Sequence, residues 1–395
     1  MRILICGVSA PLPPFNGFRL YLDALWRALR EHHDIRLLAY VQPDQDLSHT
    51  SGSDLRLVPW SPLRTVERGR AGVLAGLHRR PFSADMLAAR LRGPLAEELE
   101  IFRPDVVQVS SRLAGLAPHI ADHATVLAAL DAGHRNVAAR MEQAGGARRL
   151  LLGIEHRGTR HFEATAYRRF DQVVTVTDED RQALQQLDPT LSVTVIPNGV
   201  DAQSYSPRWD GPTEPGRILF TGVMDYAPNI TAAQALARDV LPRVRALHPT
   251  AHVVLVGRRP APAVLALAAL DGVTVTGEVS AVQPWLREAR VFVCAMRSGT
   301  GIKNKLLEAM ACGVPCVATP LALQGLRCRA GAEVLVAETD EGLAAATLRV
   351  LTDDALARRL ATAARAYVVG HHSWEAVADR YAEVYECARA GGARR

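Results

Sequence analysis

Short apolar runs rich in β-branched residues alternate with longer helical patterns along most of this chain, and that alternation leaves few architectures open. A strand buried on both faces reads as a continuous apolar run, and parallel neighbours need a crossover, usually a helix. The first series is RILICGV (2–8), IRLLAYV (35–41), LRLVPW (55–60), DVVQVSS (105–111), TVLAAL (125–130), QVVTVT (172–177) and SVTVIP (192–197). A turn-rich stretch, PRWDGP (207–212), separates it from a second series. That series is RILFTGV (217–223), HVVLVG (252–257), VTVTGE (273–278), VFVCAM (291–296), PCVATP (315–320) and EVLVAE (333–338). RILICGV and RILFTGV open alike, each a strand closed by glycine, as if one architecture were used twice. The expected fold class is α/β, with domains at 1–200 and 201–372. A last helical pattern runs from Ser373, a plausible N-cap, to Ala390. It has no strand to return to, so residues 373–395 are expected to pack back across the domain junction.

A chain of 395 residues has room for two domains of ordinary size. Its 48% apolar and 22% charged residues are ordinary for a soluble globular protein. The net charge of +5 suits anionic substrates or an anionic membrane surface. It is too small and too dispersed to argue for nucleic acid, and no nucleic-acid-binding signature appears. None of the six cysteines forms a C-x-x-C pair, and no histidine cluster completes a zinc set. They read as small buried residues of a reducing compartment. MRILICGVSA reads as a first buried strand, not a secretory signal, and no window has the length of a transmembrane helix. The expected location is cytoplasmic.

The chemistry concentrates in GTGIKNKLLEAMACGVPCVATP (299–320). A strand ends near Met296, a glycine-rich turn follows, and a helix is expected to begin near Ile302 or Lys303. A helix start offers unpaired N–H groups and a partial positive charge. Glycine lets a phosphate approach that backbone, and Lys303 or Lys305 can add full charge. Glu308 is a poor neighbour for phosphate but a good acceptor for a ribose diol. Together these groups describe a nucleoside diphosphate. Read alone, the turn is equally a plain strand–turn–helix with solvated lysines.

LLEAMACGVPCVAT resembles the retaining glycosyltransferases of the GT-B fold, specifically glycosyltransferase family four. Their motif is a Glu, seven residues and a second Glu, running into Ala-Met-Ala-x-Gly-x-Pro-Val. Glu308 takes the place of the second acid, and Thr300 stands where the first would be. The resemblance implies that the first acid's work on the sugar hydroxyls passes to Thr300 and to the backbone of Gly301 and Ile302. GTGIKNKLLEAMA is most similar to a branch with Gly-x-Gly-Thr-Arg-Leu-Lys-Ile-Leu-Glu-Ala-Met-Ala, which makes the same replacement. FTGVMDYAPNITA (220–232) resembles that branch's opening of the second domain, with Gly222 in its loop. Most of the wider family carries an Arg and a Lys in this loop for the diphosphate. Here both are missing, so the role is expected to move to Lys303. Lys305 is ranked second because two residues along a helix turn a side chain about 200° round, and Arg19 and Arg297 follow. VTGEVSAVQPWLREARVFV (275–293) resembles the segment whose backbone holds the base, near Glu278 and Val279.

In the first half, APLPPFNGFRLYLDAL (10–25) resembles the family's glycine loop, which implies that Gly17 faces the diphosphate. IPNGVD (196–201) resembles an interdomain turn and is read as that alone. His134 follows a strand where family members place a histidine beside the reacting sugar. Asp131 is a second candidate there, or a cap for the next helix. The resemblance implies two Rossmann-like domains facing across a cleft.

Arginines crowd residues 147–170, and RGRAGVLAGLHRRPF (68–82) is basic and apolar by turns. Either stretch suits an anionic lipid or phosphorylated acceptor, although a solvated face is the simpler reading. Glu155 and Glu163 sit among those arginines as salt-bridge partners. Asp178 and Asp180 look like a metal pair but stand at a probable helix start, where acids suit the dipole. No bound metal and no cofactor are expected. The expected reaction is sugar transfer from a nucleotide diphosphate sugar, UDP-linked by preference, to an acceptor hydroxyl with retention of configuration. The acceptor class is open among glycans, lipid-linked glycans and small natural products. Two alternatives remain: a GT-B sugar-nucleotide epimerase or hydrolase, and an inactive sugar-nucleotide-binding protein.

Overall fold

The computed structural model describes residues 1–12, 17–42, 45, 54–60, 84–142, 144–209, 213–299 and 301–392. Asn16, the basic stretch 68–82 and Thr300 lie outside them. The chain divides into two compact units, Met1–Pro197 with Val377–Arg395, and Asn198–Ala376.

The first unit is a seven-stranded sheet: β1 (Arg2–Gly7), β2 (Asp34–Val41), β3 (Leu55–Pro59), β4 (Val106–Ser110), β5 (Ala124–Leu130), β6 (Gln172–Thr175) and β7 (Val193–Val195). Its order is β3-β2-β1-β4-β5-β6-β7, and every described pair is parallel. Each central strand is apolar on both faces because helices cover both, as the continuous runs foretell. Ile3 pairs with Ile35 on one side and Val106 on the other, and all three are buried. The strand order reverses between β1 and β4, the switch point beside which ligands bind in such sheets. The helix Trp374–Gly392 is capped by Ser373, whose Oγ accepts from the Ala376 N–H at 3.2 Å. Within the first unit, its Tyr381 hydroxyl lies 2.5 Å from that of Tyr21, and Tyr385 donates to Gln108 Oε1 at 2.7 Å.

The second unit repeats the plan with six parallel strands: β8 (Arg217–Thr221), β9 (His252–Val256), β10 (Val273–Gly277), β11 (Val291–Cys294), β12 (Cys316–Ala318) and β13 (Leu335–Val336). Their order is β10-β9-β8-β11-β12-β13, so the reversal falls between β8 and β11. Both units are therefore Rossmann-like. The run at 333–338 yields a strand of only two residues, paired to β12 alone. Within the second unit Asn198 O accepts from the His372 ring and Val200 N–H donates to His372 O, so IPNGVD does its work as a turn. Gly199 is needed there because a Cβ would fall 2.6 Å from the Trp374 ring.

Candidate functional site

The carboxyl edge of the second sheet opens into a pocket of about 450 Å³ beside the β8/β11 reversal. Its floor is the turn after β8 pressed on the turn after β9. The Gly222 N–H donates to Val256 O, and a Cβ on Gly257 would land 1.7 Å from Gly222 O. Only glycine permits two backbones so close, and the same bareness leaves room for a ligand.

The third wall is the turn after β11. Gly299 and Gly301 hold φ angles of +100° and +71°, in the left-handed region that side chains disfavour. They delay the helix, which runs Asn304–Ala311 with Lys303 outside it as N-cap. The start expected near Ile302 or Lys303 is corrected accordingly. The correction matters because the ranking of the two lysines assumed that both stand on one helix. Lys303 instead folds back, and its ammonium donates to Gly299 O at 3.1 Å and Gly301 O at 2.6 Å. Lys305 also lines the pocket. Its ammonium donates to Asn229 Oδ1 at 2.5 Å and stands 4.4 Å from the Phe220 ring centroid. A Cβ on Gly222 would fall 2.7 Å from that ammonium. Asn229 is itself oriented by donating to Val223 O at 2.8 Å.

Burial pulls the Lys305 ammonium down to about 8, with Cys294 and Glu308 opposing the fall. Burial pushes the Glu308 carboxyl up to about 7, against the pull of Lys305. The two groups thus stabilise one another's charged forms in a pocket that penalises both. Gly222, Glu278, Val279, Ile302, Lys303, Lys305 and Glu308 all line this pocket, and Gly301 shapes the turn. Arg297, held in reserve for the phosphate charge, is instead paired to Asp340 at 2.8 Å. Arg258, which had been passed over, lines the pocket at the end of β9. The signal for it was its place in VGRRP, just past the carboxyl end of a strand.

In the first unit, Gly17 begins the helix Gly17–Leu29 that follows β1. Arg19 is buried and donates to Ser9 Oγ at 2.9 Å. A second pocket, about 350 Å³, lies at the carboxyl ends of β4 and β5 and is lined by Asp131, Gly133, Asn136, Arg140 and Glu163, among others. His134 stands on the helix Gly133–Glu142 beside it, with Nδ1 2.6 Å from Glu163 Oε2. At the start of that helix the Gly133 N–H donates to Glu163 and the Ala132 N–H to Asp180. Asp178 and Asp180 open the helix Asp178–Leu187, the first paired to Arg181 and the second to Arg135. Among the described residues no group of three or more His, Cys, Asp or Glu is placed to hold a metal ion.

Two family models match this chain. Residues 15–204 match "Glycosyltransferase Family 4" and residues 215–353 match "Glycosyl transferases group 1". The chain belongs to the glycosyltransferases. It is similar to glycogen synthase of Mycobacterium tuberculosis, 27% identical over 368 residues, which cover 90% of this chain and 81% of that one. It is also similar to a phosphatidyl-myo-inositol mannosyltransferase of Propionibacterium freudenreichii, 31% identical over 191 residues, 46% of this chain and 44% of that one. Among solved structures, the glycosyltransferase shares the GT-B fold of sucrose-phosphate synthase from Thermosynechococcus elongatus, with TM-score 0.68, 17% identity and 98% of both chains covered. It shares it also with HepE of Anabaena, solved in complex with UDP and glucose, with TM-score 0.64, 15% identity and 98% and 99% covered.

Proposed function

We propose that this glycosyltransferase moves a sugar from a nucleotide diphosphate sugar, UDP-linked by preference, to an acceptor hydroxyl with retention of configuration and without a bound metal. The observation that carries the reading is the placement of Lys305 and Glu308 in one pocket at a strand-order reversal. A diphosphate needs cations and close backbone, which Lys305, Arg258 and the Gly222 turn provide. A ribose diol needs an acceptor, which Glu308 provides. The base falls to the backbone at Glu278 and Val279, and the sugar to the backbone at Gly301 and Ile302. As the bond to the sugar breaks, charge grows on the departing phosphate, and a cation already in place stabilises that state more than the ground state. The acceptor hydroxyl enters on the same face, and the phosphate takes its proton. His134 orients the sugar.

Calorimetry with uridine, guanosine and thymidine diphosphates tests the donor, and the anomeric proton coupling of the product tests retention. Transfer should persist in excess chelator. Binding without turnover on any acceptor sinks the transfer reading in favour of a binding protein. Turnover without acceptor moves it to an epimerase or hydrolase.

The acceptor is glycan, lipid-linked or a small natural product. No described helix is long and apolar enough to cross a membrane. Among the described residues, the helix Gly146–Ala166 is a natural place for a peripheral contact, with Leu150, Leu151 and Ile154 exposed among Arg148, Arg149, Arg157 and Arg160. Apolar side chains beside arginines suit an anionic bilayer surface. Co-sedimentation with vesicles containing phosphatidylglycerol should fall on replacing the three apolar residues by serine. Equal pelleting of both proteins argues against the contact.

A further inference from the structure

Glu163 is an acid that the donor pocket does not use, and it is only 1% exposed. A buried carboxylate is costly unless its oxygens are bonded, and here both are. Oε1 accepts from the Gly133 N–H at 2.7 Å, and Oε2 lies 2.6 Å from His134 Nδ1. The backbone is bent to bring this about. The β5–β6 register slips between Ala128 and Leu130, and Leu130 takes a φ of +61°, unfavourable for a residue with a side chain. At the next turn a Cβ on Gly133 would come 3.0 Å from Glu163 Oε1, so glycine there lets the carboxylate close on the helix start. Among the described residues, His134 Nε2 has no hydrogen-bond partner.

We propose that Glu163 is a positioning residue for His134. A carboxylate can only accept, so it keeps the proton on Nδ1 and fixes the ring plane. Nε2 is then the nitrogen offered to the reacting sugar. This rests on the role given to His134 above. The logic is that of any imidazole whose working nitrogen is set by the bond the other makes. The competing account is that Glu163 merely caps the helix Gly133–Glu142 through the Gly133 N–H.

Glu163→Gln separates the two accounts. The amide keeps the shape and one acceptor oxygen for Gly133, but it turns an NH₂ toward Nδ1. The neutral imidazole must then carry its proton on Nε2. In protein labelled with ¹⁵N-histidine, the His134 resonances, assigned by their loss in His134→Ala, should show the Nδ1–H form in the parent and the Nε2–H form in the variant. Turning Nε2 from acceptor to donor leaves a sugar hydroxyl unpaired, which lowers kcat by about tenfold to a hundredfold. The affinity for UDP should not change. The double variant His134→Ala/Glu163→Gln should be no slower than His134→Ala, because both act through one group. If Glu163→Gln does not fold, Glu163→Asp withdraws the carboxylate by one methylene from Nδ1 and is read in the same ways. An unchanged tautomer, or a lower melting temperature with native kcat, makes Glu163 a cap and overturns the proposal. A slow His134→Ala beside a native Glu163→Gln overturns this inference alone. A native His134→Ala overturns it together with the role of His134.

Discussion

Lys305→Met should slow transfer about a hundredfold or more, the usual cost of removing one electrostatic stabiliser of a departing group, while Lys303→Met should do less to kcat. Both lysines line the pocket of the second unit, but their ammonium groups are engaged differently. That of Lys303 is held by two carbonyls of its own turn, Gly299 O and Gly301 O. Its loss frees a loop whose two glycines already sit at positive φ. The expected sign is a lower melting temperature and a higher KM for the donor. Lys305 rests on Asn229 beside the Gly222 turn, where a Cβ would fall 2.7 Å from its ammonium. Methionine keeps the length and the apolar stem against Phe220 and removes only the charge. Steady-state rates for the two variants, with melts to check folding, decide the ranking. Native-like turnover by Lys305→Met would mean that the diphosphate charge is met elsewhere, and Arg258 is then the residue to replace.

The different settings of the two lysines show what could and could not be read from the sequence. Strands were legible because a strand buried on both faces has no choice but a continuous apolar run. The run at 333–338 was too generous because β13 pairs on one side only, and an edge strand can stop as soon as its partner turns away. The pocket's glycines and Glu308 were legible because strand, turn and helix start are adjacent in sequence. The settings of the two lysines were not. A helical wheel holds only inside a helix, and Lys303 lies one residue outside it. Glu163 was misread for a different reason. Its sequence neighbours are arginines, yet its partners are Gly133 and His134, some thirty positions back, brought to it by the packing of one helix on another. Arg258 carried only its position past a strand end, and nothing local distinguishes it from Arg259, which pairs with Asp225 at 2.9 Å.

Nucleotide affinity should peak between about pH 7 and pH 8 and fall on both sides, each limb belonging to one member of the Lys305–Glu308 pair. The protein reaches its binding form only when Glu308 is ionised and Lys305 is charged. Glu308 sits near 7, so below that pH the carboxyl is protonated and loses an acceptor for the ribose diol. Lys305 sits near 8, so above that pH the ammonium is lost and the phosphate meets a neutral amine. Neither displacement helps the fold. Glu308 is raised above its ordinary 4.5, so it weakens the native state as pH rises from there through 7. Lys305 is lowered from 10.5, so its penalty is present below 8 and relieved between 8 and 10.5. Groups kept at a cost to stability beside a pocket are candidates for function. Because each charge steadies the other, the variants should move the limbs as well as remove them. Glu308→Gln should abolish the acid limb, and the alkaline limb should shift to lower pH because the lysine has lost its counter-charge. It should also weaken binding near pH 7.5 by about 1.5–3 kcal/mol, the worth of a charge-assisted hydrogen bond. Lys305→Met should abolish the alkaline limb and shift the acid limb upward. Titration calorimetry with UDP across pH 5.5–9.5 reads all three proteins, with the nucleoside uridine as a control that keeps the ribose and drops the phosphates. Uridine should show the Glu308 limb and lack the Lys305 limb. A Glu308→Gln protein that is folded and binds UDP with the parent's affinity and pH profile removes Glu308 from the ribose, and with it the assignment of this pocket to a nucleotide.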